Sequence, residues 1–269
     1  MADLKTWVRM LKDAPPVRRL RQRRYERLFA TANDMHLFRG VYASFDEALR
    51  NVPATRPVGY DNPGPSAMFR DLVDRVNPRD YPLMFWLSHA LRGGARSVFD
   101  FGGHVGIKFY AYRRYLAYPD DLRWTVCDVP AVVESGQKFA RITSGSEKLS
   151  FTTRFEEADG CDVLFAAGSL QYVEEPLALR LARLARRPGR LLLSGVPLFA
   201  GRSFVTLQSI GTAYCPYQVW NRDDFVAALE SVGYELRDEW RNPEKTLHVP
   251  FHAGAQVDAY TGLLFEPRA

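Results

Sequence analysis

The chain has 269 residues, 46% of them apolar, and a net charge of +5. That length suits one α/β domain with an accessory segment, and no apolar run approaches the ~18 residues of a membrane span. The three cysteines, Cys127, Cys161 and Cys215, form no CxxC pair, which reads as reduced thiols in a cytoplasmic protein.

Residues 1–27 hold nine Lys or Arg against three Asp or Glu. That surplus exceeds the net charge of the whole chain, so the remainder is close to neutral. A nucleic-acid-binding domain would spread such charge over a folded face, and no nucleic-acid partner is expected. The start does not read as a secretory signal, because charges interrupt its first apolar residues. Leu4, Trp7, Val8 and Leu11 fall at helical spacing, Pro15-Pro16 stops that helix, and Val17–Ala30 reads as an Arg-rich second one. The arm suits peripheral contact with anionic lipid, a solvated helix, or a homodimer contact through its apolar stripe.

From Phe38 to Pro65 the pattern is irregular, with one helix start at Ser44-Phe-Asp-Glu47, a capping-box spacing. The proline-rich stretch Pro53–Pro65 reads as a loop or lid. Helices are predicted over Ser66–Val76 and Pro82–Leu91. After Arg92-Gly-Gly94 strands and helices alternate. Strands are predicted at Ser97–Phe101, Arg123–Cys127, Leu149–Thr153, Asp162–Ala166 and Gly189–Ser194. Helices are predicted at Val105–Tyr115, Ala131–Arg141, Pro176–Leu184 and Arg222–Ser231. Two last strands, over Gly233–Trp240 and Tyr260–Phe265, flank a hairpin-like excursion. This grammar predicts an α/β fold: a doubly wound, seven-stranded, mostly parallel sheet with a helical N-terminal extension. The division is an arm and lid over 1–92 and a Rossmann-like domain over 93–269. Ligands of such sheets sit beyond the carboxyl ends of the strands. That places Gly102–Gly106, Asp128 and Gly168–Tyr172 around one crevice.

The glycine turn names the ligand class. A dinucleotide fingerprint needs glycine where this chain has Phe101, and no Gly-Lys-Ser/Thr of a phosphate loop follows. The spacing is D-x-G-x-x-x-G over Asp100–Gly106. An acid at Asp100 can meet a ligand ammonium, and glycines leave room for an adenosine-bearing chain. Asp128 ends the next strand, where a carboxylate can accept from ribose hydroxyls or cap the following helix.

Together these residues resemble the class I S-adenosylmethionine-dependent methyltransferases. Residues 127–133, CDVPAVV, are similar to a segment of small-molecule O-methyltransferases. Residues 162–172, DVLFAAGSLQY, look like the fourth strand and its substrate-facing loop, and residues 186–193, RRPGRLLL, like the turn and strand that follow. Asp80-Tyr-Pro82, Val219–Phe225 and Thr261–Phe265 are shared with an incompletely characterised methyltransferase family often associated with surface-polysaccharide genes. The resemblance covers residues 38–266. It implies an enzyme that transfers methyl from S-adenosylmethionine to a small molecule. It also implies cofactor contacts from Asp100, Phe101, Gly102, Gly103, Gly106, Asp128, Val129, Gly168 and Ser169.

His104 stands where the common family pattern has glycine. A histidine titrating near neutrality could act as a base. The 168–172 loop carries no histidine of the plant O-methyltransferase kind, which leaves His104, Tyr172 and His36 as base candidates, with His248 and His252 further on. The rings of Tyr110, Phe101 and Tyr172 could face a sulfonium. Pro250 between His248 and His252 argues against a helical metal pair, and no metal is expected. Two other readings remain open. One is an enzyme cyclising the cofactor's own aminobutyrate chain to azetidine-2-carboxylate and methylthioadenosine. The other is a non-enzymatic or membrane-tethered cofactor-binding module.

Overall fold

The computed structural model describes residues 15–33, 35–61 and 72–268. The stripe at Leu4–Leu11 and most of the Ser66–Val76 helix lie outside these residues. The Arg-rich stretch is helix α1 (Pro15–Thr31), which buries Phe29 alone. Strand β1 (Met35–Tyr42) and helix α2 (Phe45–Arg50) follow. The capping box forms: Ser44 Oγ accepts from the Glu47 amide at 3.1 Å, and Glu47 Oε2 accepts from the Ala43 amide at 2.7 Å.

Strand β1 corrects the irregular reading of this region, and makes the extension more than helical. Its partner lies far along the chain at residues 204–210, and its register slips twice, between Met35 and Leu37 and between Arg39 and Tyr42. Gly40, at φ 76°, further breaks the alternation by which a strand is recognised.

Helix α3 (Tyr81–Arg92) leads into the parallel sheet of β2 (Ser97–Phe101), β3 (Arg123–Cys127), β4 (Leu149–Thr152), β5 (Val163–Ala167) and β6 (Leu191–Val196). Its crossovers carry α4 (Ile107–Tyr112), α5 (Pro130–Ile142) and α6 (Leu177–Ala182). These strands read as apolar runs because both faces are covered. Phe99 and Phe101 enter one core with Leu164, Leu191 and Leu193. Val98 enters the other with Trp124, Val126 and Phe165. Asp162 Oδ2 accepts from the amides of Arg96 and Ser97 at 2.7 and 2.8 Å, tying the start of β5 to the start of β2.

After β6 come β7 (Leu198–Phe199), β8 (Phe204–Ile210), β9 (Tyr214–Asn221), α7 (Arg222–Ser231), β10 (Tyr234–Asn242), β11 (Leu247–His248), β12 (Gln256–Val257) and β13 (Tyr260–Pro267). The seven-stranded sheet runs β10-β13-β6-β5-β2-β3-β4, with β13 antiparallel to both its neighbours. Strand order reverses between β2 and β5, the switch point at which a doubly wound sheet opens a crevice. A second sheet runs β1-β8-β9-β7; its strands β7, β8 and β9 lie in the chain between β6 and α7, and β1 joins them from the N-terminal extension. Strand β9 packs on the turn after β5, so this sheet lies against the carboxyl end of the parallel one. The sequence reading has no strand between Ser194 and Arg222. Strand β8 is buried along its whole length yet includes Thr206, Gln208 and Ser209, and a polar side chain in a fully buried strand gives no clean period.

Candidate functional site

The turn after β2 is held by close approaches. Gly102 sits at φ 74°, and a Cβ there would stand 2.2 Å from Ser169 Cβ. Gly103 lies over the Asp100 carboxyl, where a Cβ would meet Cγ at 2.4 Å. Any side chain at either position would displace the wall it touches. The Ser169 hydroxyl donates to the Phe101 carbonyl, so the loops after β2 and β5 are joined across the switch point. The Gly168 amide donates to Ser194 O at 2.8 Å, fixing the β5 loop to β6. Gly106, left-handed at φ 88°, closes the turn and opens α4.

Two acids sit at this end. Asp100 is 1% exposed. Its Oδ2 accepts from Trp124 Nε1 at 3.1 Å, while Oδ1 has no hydrogen-bond partner among the described residues. Burial pushes its carboxyl up to about 7; the indole opposes this, the Asp128 charge adds to it, and Lys108 opposes it. Asp128 has a different task. Its Oδ2 accepts from the His104 amide at 2.9 Å, and its Oδ1 from the Val129 amide at 2.8 Å. One carboxylate thus holds both the glycine turn and the start of α5, and each oxygen keeps a further lone pair. Burial raises the Asp128 pKa, and the two amides work against that rise.

His104 occupies the left-handed region at φ 56° and is 8% exposed. The conformation is costly for any side chain, about 1–2 kcal/mol, and the Asp128–amide bond holds it. His104→Gly is expected to keep the fold and match or exceed the wild-type stability by up to about 1 kcal/mol in urea denaturation. A fall in stability would show that the imidazole itself packs the turn.

The other proposed catalytic rings separate. Tyr172 lies at the crevice in the turn after β5, but its hydroxyl donates to Gln208 Oε1 at 2.7 Å. Burial raises its pKa well above the ordinary range, with Tyr60 adding to the effect, so the phenol is a donor and a poor base. Tyr172→Phe leaves the buried Gln208 oxygen without this donor. The expected loss is about 1–3 kcal/mol of stability, read by urea denaturation, with the shape of any pH–rate profile unchanged.

Tyr110 is a correction. It sits one turn into α4, with its ring against Phe139 and its hydroxyl 3.0 Å from Ser146 Oγ, before the amino end of β4. Its ring also lies against Gly106, 3.3 Å from where a Cβ there would stand, and its hydroxyl is engaged by Ser146 rather than offered to a reacting group. Phe101 likewise turns its ring into the core against Phe155, under the Arg180 guanidinium, and offers the crevice only its backbone.

The second sheet adds residues that local patterning does not reveal. Tyr60 packs edge-on to Tyr172 at 5.0 Å, and Tyr172 edge-on to Tyr217 at 5.1 Å. The Tyr217 and Tyr260 hydroxyls are 2.7 Å apart. Gln208 Nε2 lies 3.0 Å from His36 Nδ1. Asp61, beside Tyr60, accepts from the Ala131 amide at 2.9 Å, which carries this segment across to the first turn of α5. His36, a base candidate by sequence, meets Gln208, which in turn accepts from Tyr172. Its pKa is lowered by burial and by Lys245 and Arg79.

A cavity of about 530 Å³ opens at the amino ends of the strands among Ser97, Arg123, Lys148 and Arg186. Parallel sheets place ligands at the other end, and the built features described above are all there. Among the described residues no group of three or more His, Cys, Asp or Glu could hold a metal ion, and no helix is long and apolar enough to cross a membrane.

A scan against protein-family models finds no match, and a search of curated proteins finds none. Solved structures give distant similarities. One is the Burkholderia thailandensis 1,6-didemethyltoxoflavin-N1-methyltransferase with bound 1,6-didemethyltoxoflavin and S-adenosylhomocysteine. It is 19% identical over 71% of this chain and 79% of that one, with a TM-score of 0.46. The CcbJ methyltransferase from Streptomyces caelestis is 13% identical over 74% and 96%, TM-score 0.46. The glycopeptide N-methyltransferase MtfA, complexed with S-adenosylmethionine, is 10% identical over 68% and 87%, TM-score 0.45. These neighbours are methyltransferases. At such distances the likeness is one of outline, and the function proposed below rests on this chain's own residues.

Proposed function

We propose that this chain is an S-adenosylmethionine-dependent methyltransferase acting on a small molecule. The observation that carries the reading is the buried Asp100 Oδ1, without a partner among the described residues, under a glycine turn that a Cβ at 102 or 103 would fill. A buried carboxylate oxygen left open beside a backbone cradle suits a ligand that brings a cation with an adenosine. Asp100 would take the ammonium, the lone pairs left on Asp128 the ribose hydroxyls, and the backbone of Gly102, Gly103, Gly168 and Ser169 the close approach. Bound there, S-adenosylmethionine supplies an electrophilic methyl group.

The protein's own share is positioning and exclusion of water. The joined loops fix one wall, and Tyr60 and Tyr172 form the other. Holding a nucleophile in line at near-attack distance accounts for much of the rate of such a displacement. Burial keeps Tyr172 protonated, so this phenol orients an acceptor rather than deprotonating it.

The test is product identification after incubating the full chain with S-adenosylmethionine, alone and with candidate acceptors. Acceptor-dependent S-adenosylhomocysteine supports methyl transfer. Methylthioadenosine released without an acceptor overturns it in favour of cyclisation, and failure to bind S-adenosylhomocysteine overturns the cofactor assignment altogether.

A further inference from the structure

Helix α1 carries six arginines, Arg18, Arg19, Arg21, Arg23, Arg24 and Arg27, against one acid, Glu26. All six are exposed. The helix is nonetheless seated on the body. Phe29 is fully buried and stacks on Tyr214 at 5.2 Å, and Tyr25 donates to the Phe38 carbonyl at 2.6 Å. Arg18 donates to the Phe251 carbonyl at 3.0 Å, and the Arg21 guanidinium stands 5.9 Å from the Phe251 ring centroid. This seating fixes where the other residues point. At about 3.6 residues per turn, positions 17, 19, 20, 23, 24, 27 and 28 fall in the half of the helix opposite Tyr25 and Phe29.

That half holds four arginines and no acid. Arg19, Arg23, Arg24 and Arg27 make no ion pair and no side-chain hydrogen bond among the described residues. Glu26 lies at its edge, bonded to Gln22. Among the arginines stand Leu20, 67% exposed, Leu28, 46%, and Val17, 40%. A single exposed apolar side chain is ordinary, but three on one helical face among unpaired cations ask for two things at once. The cations ask for anionic groups, and the aliphatic side chains for an apolar layer beside them. An anionic bilayer offers both, with phosphates at its surface and acyl chains just below. A nucleic acid would set Leu20 and Leu28 against phosphate and water. A second copy docked about a twofold axis would bring the same four arginines together. The sequence ahead of α1 has a similar mixture, with Lys5, Arg9 and Lys12 among Leu4, Trp7, Val8 and Leu11.

We infer that the outward half of α1 docks this protein peripherally on an anionic membrane surface. The four guanidiniums meet lipid phosphates, and Val17, Leu20 and Leu28 enter the interfacial layer. The docking uses no residue of the crevice and is independent of the methyltransferase reading.

Co-sedimentation of the full chain with vesicles tests it, using phosphatidylcholine alone and phosphatidylcholine with about one-third phosphatidylglycerol. Wild type is compared with Arg19→Gln/Arg23→Gln/Arg24→Gln/Arg27→Gln and with Leu20→Ser/Leu28→Ser. Wild type is expected to bind the anionic vesicles, to leave them as salt rises from about 0.1 to 0.5 M, and to ignore phosphatidylcholine. Each basic residue near such a surface strengthens binding about fivefold, so the four glutamines should weaken it several hundredfold. The two serines should weaken it about tenfold. Wild-type binding by the glutamine variant overturns the assignment to α1. Equal binding of wild type to both kinds of vesicle, or binding to neither, overturns the anionic surface. Wild-type affinity in the serine variant overturns the entry of the apolar side chains into the bilayer. Fluorescence anisotropy with a DNA or RNA duplex at the same salt supplies the competing outcome: binding tighter than to the anionic vesicles gives the face to nucleic acid. A dimer in sedimentation velocity that the serine variant loses gives it to a second copy. All the substituted side chains are exposed, so both variants should keep the wild-type melting temperature. If the four-glutamine variant fails to fold, Arg23→Gln/Arg27→Gln, with an expected loss of about 25-fold, carries the test.

Discussion

Asp100→Asn is expected to weaken S-adenosylhomocysteine binding by about 100-fold while making the unliganded chain more stable above pH 7. The two effects have one cause. Burial lifts the folded-state pKa of this carboxyl from 3.8 to about 7, so the folded chain holds the proton more tightly than the unfolded one. Its contribution to stability is therefore fully present below about pH 4 and is lost as pH rises through about 7. A shift of that size corresponds to at most about 4 kcal/mol. Asparagine keeps an oxygen for the Trp124 indole and has no charge to bury. Urea denaturation should show the two chains nearly equal at pH 4 and Asp100→Asn ahead at pH 8 by on the order of 2–4 kcal/mol. Ligand affinity has the opposite slope. An ammonium requires the carboxylate, so wild-type affinity for S-adenosylhomocysteine should fall as pH drops below about 7, and that of Asp100→Asn should stay low and flat. Wild-type affinity in Asp100→Asn would remove Asp100 from the site.

This trade of stability for a ligand contact also marks what was legible in the sequence. Ser97–Phe101 and Arg123–Cys127 are strands at the residues predicted, because a buried parallel strand between glycine and helix is a local signal. Asp128 was visible for the same reason: it ends such a strand. Strand β1 was not, since its pairing with residues 204–210 is remote in sequence and its bulges erase the period. With β1 went the second sheet, and with that sheet Gln208 and Tyr217, the residues that hold Tyr172. Nothing local in the sequence marks Gln208, whose part follows from its burial and its bonds to Tyr172 and His36. Tyr110 does lie against Gly106, as its sequence position suggests, but its hydroxyl is engaged by Ser146.

Asp128→Ala is expected to damage both the fold and the site, in a pattern that separates it from Asp100→Asn. The carboxylate accepts the amides of His104 and Val129 at 2.9 and 2.8 Å. Hydrogen bonds to a charged group contribute about 1.5–3 kcal/mol each, less here because burial opposes the charge. Alanine should therefore lower stability by about 2–4 kcal/mol in urea denaturation. Part of that loss arises because the His104 amide, at φ 56°, loses its Asp128 acceptor. Asparagine retains one acceptor oxygen and should fall between the two. Binding then distinguishes the acids. Asp100 is assigned to the ammonium, so Asp100→Asn should spare methylthioadenosine, which has none. Asp128 is assigned to the ribose, so Asp128→Ala should lose methylthioadenosine and S-adenosylhomocysteine together, each by about 100-fold. If Asp128→Ala binds both like wild type after its lower stability is allowed for, the carboxylate is only a clamp on the turn. If Asp100→Asn loses both ligands equally, its carboxylate shapes the whole turn rather than meeting one charged group.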